Sequence, residues 1–286
     1  MKYLIMILLT FACSTPSSKQ IDAWGIQLQK YEAPYDLNRI KNAPVKMWVM
    51  DYSFDGDHEF TPLEVELMKN EGSKKIISYL SIGELETYRF YYPTVTSKVK
   101  GAINPLWKNN LTANFWEKEW HNIIVEQYLP KIVHAHFDGV FLDVVDAFER
   151  FSDKAAKAEE MADLIIEISR KARSLNKNFI VILQNGLQIR RYLKDPERLM
   201  EAIDGVNSES TFFAGAQEKD NAFKENPQAL EDIIFYQKHS KFVLSLEYLE
   251  KPELMKKYFE YAKLIKVIPL AAEKNLKGSL SFPESK

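Results

Sequence analysis

The amino-acid sequence predicts a single (β/α)8 barrel, an α/β fold in which eight parallel strands alternate with helices, and three observations predict it. Apolar runs rich in Val, Ile, Leu and Phe alternate with stretches of helical periodicity eight times after residue 22, the order required by a parallel sheet wrapped in helices. Several runs, such as Phe179 to Leu183, are apolar at every position, as strands covered on both faces should be. The length involved, roughly 260 residues, is typical of such a barrel, and no Gly/Pro-rich linker divides it. A doubly wound open sheet is the competing fold. It is disfavoured because the first strand is not followed by the Gly-rich turn that cradles a nucleotide phosphate.

The strands expected, in order, are Ala23 to Gln29, Val45 to Ser53, Lys75 to Ile82, Asp138 to Val144, Phe179 to Gln184, Gly205 to Glu209, Phe242 to Tyr248 and Lys266 to Ala271. The helices between them are punctuated. Thr61, Pro62 and Glu64 supply an N-cap, a proline at the first helical position and the acid of a capping box, with Gly72 as the stop. Asp195 and Pro196 repeat the device. Met161, Leu164, Ile165, Ile168, Ala172 and Leu175 fall on one helical face, and Trp116, Trp120, Ile123, Ile124 and Tyr128 form a second stripe. Stripes of this kind are read as core, and no cofactor is assigned to them.

Composition narrows the functional classes. With 46% hydrophobic and 27% charged residues, the 286-residue chain can bury a core. Its 38 basic and 40 acidic residues leave a formal charge of −2, which removes the basic footprint of a nucleic-acid binder. One cysteine cannot form an internal disulfide, and five histidines without Cys-x-x-Cys or His-x-x-x-His spacing give no zinc signature. Asp55, Gly56 and Asp57 do not amount to a calcium loop, so no metal is expected.

The N-terminus carries an address. Lys2 precedes an apolar run from Tyr3 to Ala12, which ends at Cys13 and gives way to Ser14, Thr15, Pro16, Ser17 and Ser18. About ten apolar residues are too few to span a bilayer, so residues 1–12 read as a signal peptide rather than an anchor. Ala12 before Cys13 resembles the lipobox of bacterial lipoproteins, from which Phe11 departs. The resemblance implies acylation of Cys13, attachment to a membrane through that lipid, and residues 13–22 as a tether ahead of a barrel over 23–286. An ordinary signal peptide is the alternative, and either reading places the mature chain outside the cytoplasm.

In a barrel the active site lies at the C-terminal ends of the strands. There the sequence places Asp51 after the second strand, Glu84 and Glu86 after the third, and Asp143 and Asp146 after the fourth. Gln184, Asn185 and Gly186 follow the fifth, Glu209 ends the sixth, and Glu247 and Tyr248 end the seventh. One strand-end carboxylate is ordinarily a helix cap or an ion-pair partner. Convergence of five on one rim suits general acid and base work, because crowding and lost hydration raise some pKa values and leave other groups ionised. Period two groups Gly139, Phe141 and Asp143, also Met47, Val49 and Asp51, and also Val243, Ser245 and Glu247, while leaving open which face is inside. Trp24, Trp48, Tyr52, Tyr79, Tyr88, Phe90, Tyr91, Tyr92, Trp107 and Trp116 lie mostly near strand ends, where aromatic faces suit stacking on sugar rings. No Gly-x-Ser-x-Gly elbow offers a serine nucleophile.

These residues resemble glycoside hydrolase family 114, the endo-α-1,4-polygalactosaminidase-like (β/α)8-barrel proteins, over nearly the whole mature chain. Trp24 to Leu28 looks like the family's first strand, and Asp51 with Gly56 like its second-strand turn. The most specific segments are Tyr79 to Arg89 (Tyr-Leu-Ser-Ile-Gly-Glu-Leu-Glu-Thr-Tyr-Arg) and Phe137 to Asp146 (Phe-Asp-Gly-Val-Phe-Leu-Asp-Val-Val-Asp). The resemblance implies a catalytic pair at Asp143 and Glu209, with Asp143 as nucleophile and Glu209 as acid/base. Asp51, Tyr79, Glu84, Arg89, Asp146, Gln184, Asn185, Glu247 and Tyr248 would then hold the sugar or tune the pair. Arg89 could instead serve only as the ion-pair partner of Glu84. The sequence is more polar than the family pattern at Val206 to Ser210, and it carries Glu247 where an aspartate or small residue is expected. The implied function is a secreted or lipid-anchored hydrolase of an α-linked, galactosamine-type polysaccharide, needing no cofactor. The alternative is a carbohydrate-binding surface lipoprotein that keeps the barrel without turnover.

Overall fold

The computed structural model describes residues 21–29, 31, 36–54, 58–105 and 107–278. The signal segment, Cys13, most of the tether, and Asp55, Gly56 and Asp57 lie outside the described residues. In chain order the strands are β1 (Trp24–Gln27), β2 (Met47–Met50), β3 (Lys75–Ser81), β4 (Glu84–Glu86), β5 (Lys100–Ile103), β6 (Asn110–Ala113), β7 (Gly139–Asp143), β8 (Ile180–Gln184), β9 (Gly205–Glu209), β10 (Phe242–Tyr248) and β11 (Ile268–Ala272). Eight of them form one parallel sheet in the order β1-β2-β3-β7-β8-β9-β10-β11. This is the expected barrel, with each strand within three residues of its sequence-based bounds.

The sheet curls until its first and last strands approach each other, and hydrogen bonds outside the strand ladder join the seam. Trp24 donates its indole N–H to the carbonyl of Ile268 at 3.0 Å. Further along, the backbone N–H of Leu28 bonds the carbonyl of Leu276 at 3.0 Å, beside an antiparallel bridge between Gln27 and Lys277. Trp24 therefore contributes to closure and packing, not to the sugar site proposed from its position.

Strand periodicity divides the core into two layers. Trp24, Ile26, Met47, Val49, Ile77, Phe141, Ile180, Ile182, Leu244, Leu246 and Leu270 fill the barrel interior. Alternate residues, among them Trp48, Leu80, Val140, Leu142, Val181, Leu183 and Val206, face the helices. Each large apolar side chain so buried stabilises the fold by about 1.5–3 kcal/mol before entropy is counted.

The helix signals are realised with one shift. In the helix Pro62–Met68 the Thr61 side chain accepts from the Glu64 N–H, and Glu64 reaches back to the Thr61 N–H at 2.8 Å. This helix ends at Met68, ahead of Gly72; Asn70, Glu71 and Gly72 reverse the chain in left-handed conformations. Asp195 accepts from the N–H of Glu197 at 3.1 Å, at the start of the helix Glu197–Ala202. The long helix Lys154–Leu175 buries the predicted stripe as far as Ala172, leaving Leu175 exposed.

The sequence reading did not anticipate the insertion between β3 and β7. There β4, β6 and β5 form a three-stranded antiparallel sheet. These strands are three or four residues long and mix polar with apolar residues, so they lack the apolar runs that reveal the barrel strands. The insertion continues into a helix over 118–134 whose middle, Asn122–Tyr128, has π geometry and carries Tyr128 into the core.

Candidate active site

Three adjacent barrel strands, β7, β8 and β9, end in the same way. Asp143, Gln184 and Glu209 are their last residues, and the residues that follow, Val144, Asn185 and Ser210, have left-handed φ angles of 61°, 57° and 48°. Such a turn is unfavourable for a β-branched residue like Val144, at about 1–3 kcal/mol. It swings the chain away from the mouth just after each polar side chain. The turn at Val144 also needs a glycine opposite, because a Cβ on Gly83 would stand 2.2 Å from the Val144 carbonyl oxygen.

Interior parity carries Phe141 and Asp143, Ile182 and Gln184, and Asn207 and Glu209 to the axis side. Asp143 accepts the Tyr79 phenol at Oδ2 (2.9 Å) and its neighbour Val144 N–H at Oδ1 (2.8 Å). Burial pushes its pKa up to about 7, Glu209 and Asp146 push the same way, and the two donors only partly offset this. Glu209 accepts from the Gln184 amide and, at 3.1 Å, from the Asn185 amide on Oε2, and from the Tyr248 phenol on Oε1. Asn185 also takes the Glu209 backbone N–H at 3.0 Å. Asn207 fixes the amide of Gln184 by donating to its Oε1 at 2.5 Å. The expected residues Tyr79, Asp143, Gln184, Asn185, Glu209 and Tyr248 thus come together at one mouth.

Asp51 and Arg89 form a second network beside it. Arg89 grips Asp51 with both terminal nitrogens, at 2.8 and 2.6 Å, and bonds Glu86 through Nε at 2.7 Å. Its guanidinium lies 4.8 Å from the ring centre of Tyr88, whose hydroxyl donates to Glu86 at 2.5 Å. The network adjoins the first at Tyr79, whose phenol pKa is raised by burial, by Asp143 and by Glu86. Arg89 therefore serves Asp51 and Glu86, not Glu84.

Glu84 is held by Arg150 at 2.8 Å, Asn104 at 2.9 Å and Asn110 at 3.2 Å. Sequence reasoning missed Arg150, Asn104, Asn110 and Asn207. Only Asn207 left a signal, since it shares interior parity with Glu209. Asp146 is half-buried, with its pKa raised by burial and partly restored by Arg150.

Glu247 is in a different layer from that expected. Interior positions of β10 are Phe242, Leu244, Leu246 and Tyr248, so Val243, Ser245 and Glu247 face outward, and the proposed grouping with Asp143 and Asp51 fails. Wholly buried, Glu247 accepts the backbone N–H groups of Thr211 (2.9 Å) and Phe212 (2.8 Å) on Oε1, bracing the loop after Glu209. Its Oε2 is buried without a hydrogen-bond partner among the described residues, and burial raises its pKa to about 7.

The aromatic cluster is also mostly structural. Trp48, Tyr52 and Tyr91 are buried, Tyr92 and Trp116 are half-buried, and Tyr88, Phe90 and Trp107 are exposed. Among the described residues no ion pair involves Asp143, Asp146 or Glu209, no His/Cys/Asp/Glu group is arranged to hold a metal, and no helix is long and apolar enough to cross a membrane. The nearby cations Arg89 and Arg150 are committed to Asp51, Glu86 and Glu84. Two half-buried carboxyl groups with no cation of their own among the described residues attract a positively charged molecule.

The model of glycoside-hydrolase family GH114 matches residues 10–283. An uncharacterised protein of Methanocaldococcus jannaschii is 35% identical over 239 residues, covering 79% of this chain and 66% of that protein. An uncharacterised protein of Thermotoga maritima is 29% identical over 96% of this chain and 90% of its own length. Among solved structures, Aspergillus fumigatus Ega3 in complex with galactosamine superposes with a TM-score of 0.72 at 14% identity, covering 96% of this chain and 99% of that one. The glycoside hydrolase domain of PelA from Pseudomonas aeruginosa gives 0.66 at 14% identity, covering 91% and 98%. At these identities the structural likenesses speak for the fold.

Proposed function

The chain belongs to glycoside-hydrolase family GH114, and from that premise we propose that it hydrolyses an α-linked, galactosamine-type amino-sugar polymer, using Asp143 and Glu209 as its two working carboxyl groups. The observation that carries this reading is the pair itself: two mouth carboxyls on alternate strands, separated by the Gln184–Asn185 strand end and lacking any cationic partner among the described residues. The galactosamine bound to the similar Ega3 fold points to the same class of sugar.

In this reading Glu209 protonates the glycosidic oxygen as the C1–O bond breaks, while the Asp143 carboxylate attacks C1 and forms a glycosyl ester. Glu209 then takes a proton from water, the water oxygen attacks C1, and the ester bond to Asp143 breaks, giving net retention of configuration. In the free protein Asp143, with its pKa near 7, holds a proton over much of the acidic range. An ammonium group entering the mouth favours the carboxylate, so arrival of a cationic sugar shifts Asp143 toward its ionised form, the proton leaving to solvent. Tyr79 then stabilises that charge, and Gln184, Asn185 and Tyr248 fix the orientation of Glu209. Asp51 and Arg89 act as a rigid wall, and Glu84 as an anchor for the insertion. The apolar N-terminal run and Cys13 support a site of action outside the cytoplasm, secreted or held by a lipid anchor.

The deciding experiment is release of reducing ends from a partly deacetylated galactosamine polymer by the parent chain, Asp143→Asn and Glu209→Gln, all shown to be folded. The parent cleaves and both variants lose at least a thousandfold in kcat. Polymer binding without cleavage by the parent would instead establish the non-catalytic carbohydrate-binding lipoprotein.

A further inference from the structure

Where β5 gives way to β6, the antiparallel insertion is fastened to the barrel rim. Asn104 and Asn110, at the two ends of this turn, both donate side-chain amides to Glu84, which Arg150 also holds. Inside the turn, Asn104 N–H bonds the Asn110 carbonyl at 2.8 Å, Asn110 N–H bonds the Trp107 carbonyl at 2.8 Å, and Trp107 N–H bonds Asn104 Oδ1 at 3.3 Å. The base of the insertion adjoins the candidate nucleophile: Ile82 N–H bonds the Asp143 carbonyl at 3.0 Å, and Ala113 N–H bonds the Gly83 carbonyl at 2.9 Å.

On this fastened turn stands Trp107, 58% exposed, with Ile103 nearby at 66%. Trp24, Trp48 and Trp120 are fully buried, and Trp116 is covered by Phe115, Phe151 and the Lys157 ammonium. Trp107 makes no ring or cation–π contact among the described residues. A large indole left in water gains by covering its face, and the C–H face of a pyranose ring is a fitting cover. Five hydrogen bonds to or within the turn hold the backbone that carries the indole, which lowers the entropy lost on binding.

We propose that Trp107 is an outer sugar-binding platform: it stacks on a pyranose ring of the polymer some units away from the bond being cleaved and so favours long chains over short ones. This rests on the polysaccharide hydrolase reading above. Remote binding of this kind raises affinity without touching the reacting atoms.

The test compares the parent chain, Trp107→Ala and Trp107→Phe on a long galactosamine polymer and on a short oligosaccharide, with folding checked by circular dichroism. Trp107→Ala is expected to raise KM for the polymer about tenfold with kcat unchanged, and to leave both constants unchanged on the oligosaccharide. Trp107→Phe recovers most of the loss. Equal polymer KM in the parent and Trp107→Ala overturns the platform while leaving the hydrolase reading intact. A parallel loss of kcat on both substrates also overturns it, making Trp107 a structural prop of the rim. No cleavage of either substrate by the parent removes the hydrolase reading and the platform with it.

Discussion

Tyr79 reaches past its own register partner to bond the candidate nucleophile. Its Cα pairs with Phe141 on the neighbouring strand, yet its hydroxyl donates to Asp143 Oδ2 at 2.9 Å, two residues further along. Apart from the Val144 N–H, this phenol is the donor that opposes the effect of burial on Asp143. The length of a tyrosine side chain makes the contact; a phenylalanine at the same position would fill the space and leave the carboxyl one donor short.

Tyr79→Phe is therefore expected to push the Asp143 pKa further up and to move the acidic limb of the kcat/KM profile to higher pH. A hydrogen bond to a charged group is worth about 1.5–3 kcal/mol, so kcat/KM at neutral pH should fall roughly tenfold to a hundredfold. The pH–rate profiles of parent and variant check this; an unchanged acidic limb would mean that the limb belongs to another group.

Glu247 makes stability depend on pH in a direction opposite to that of an ion-paired acid. Its folded pKa, about 7, lies above the unfolded value of 4.5, so the folded state holds the extra proton between these limits. Its favourable contribution is intact below about pH 4.5 and is lost as pH rises toward 7, a change of about 3 kcal/mol. Glu247→Gln cannot ionise. The unfolding free energy of the variant minus that of the parent should thus grow by about that amount from pH 4.5 to 8 in urea titrations, and a constant difference would show that Glu247 stays charged.

Arg89 neutralises two buried carboxylates at once. Arg89→Met leaves Asp51 and Glu86 facing each other without a cation, and breaking a buried pair in this way costs about 3–5 kcal/mol. Chemical denaturation should show that loss. Combining Arg89→Met with Asp51→Asn and Glu86→Gln should recover a large part of it, since the orphaned charges are then gone.

The barrel was legible because its strands, buried on both sides, must be continuous apolar runs, and residues such as Phe179 to Leu183 admit no other place. Asp143, Gln184 and Glu209 were legible for the complementary reason: a polar group at the end of such a run has to lie at the mouth. Other features depend on contacts between distant segments. In β10 one face is Phe242, Leu244, Leu246 and Tyr248 and the other Val243, Ser245 and Glu247; period two separates them without saying which lines the axis, and pairing of Leu246 with the interior Glu209 is what turns Glu247 outward. The partners of Arg89 are set by how the segment after β3 packs across the second strand, and the fastening of Trp107 requires two asparagines to meet a glutamate 20 and 26 residues earlier. By itself the sequence determined the fold class, the order of the strands and the rim that carries the polar groups, because hydrophobic burial is encoded locally in periodicity. The tertiary structure alone decided which carboxyl pairs with which cation, and which is left with none, because hydrogen bonds and charges act over a few ångströms between residues that the chain brings together only on folding.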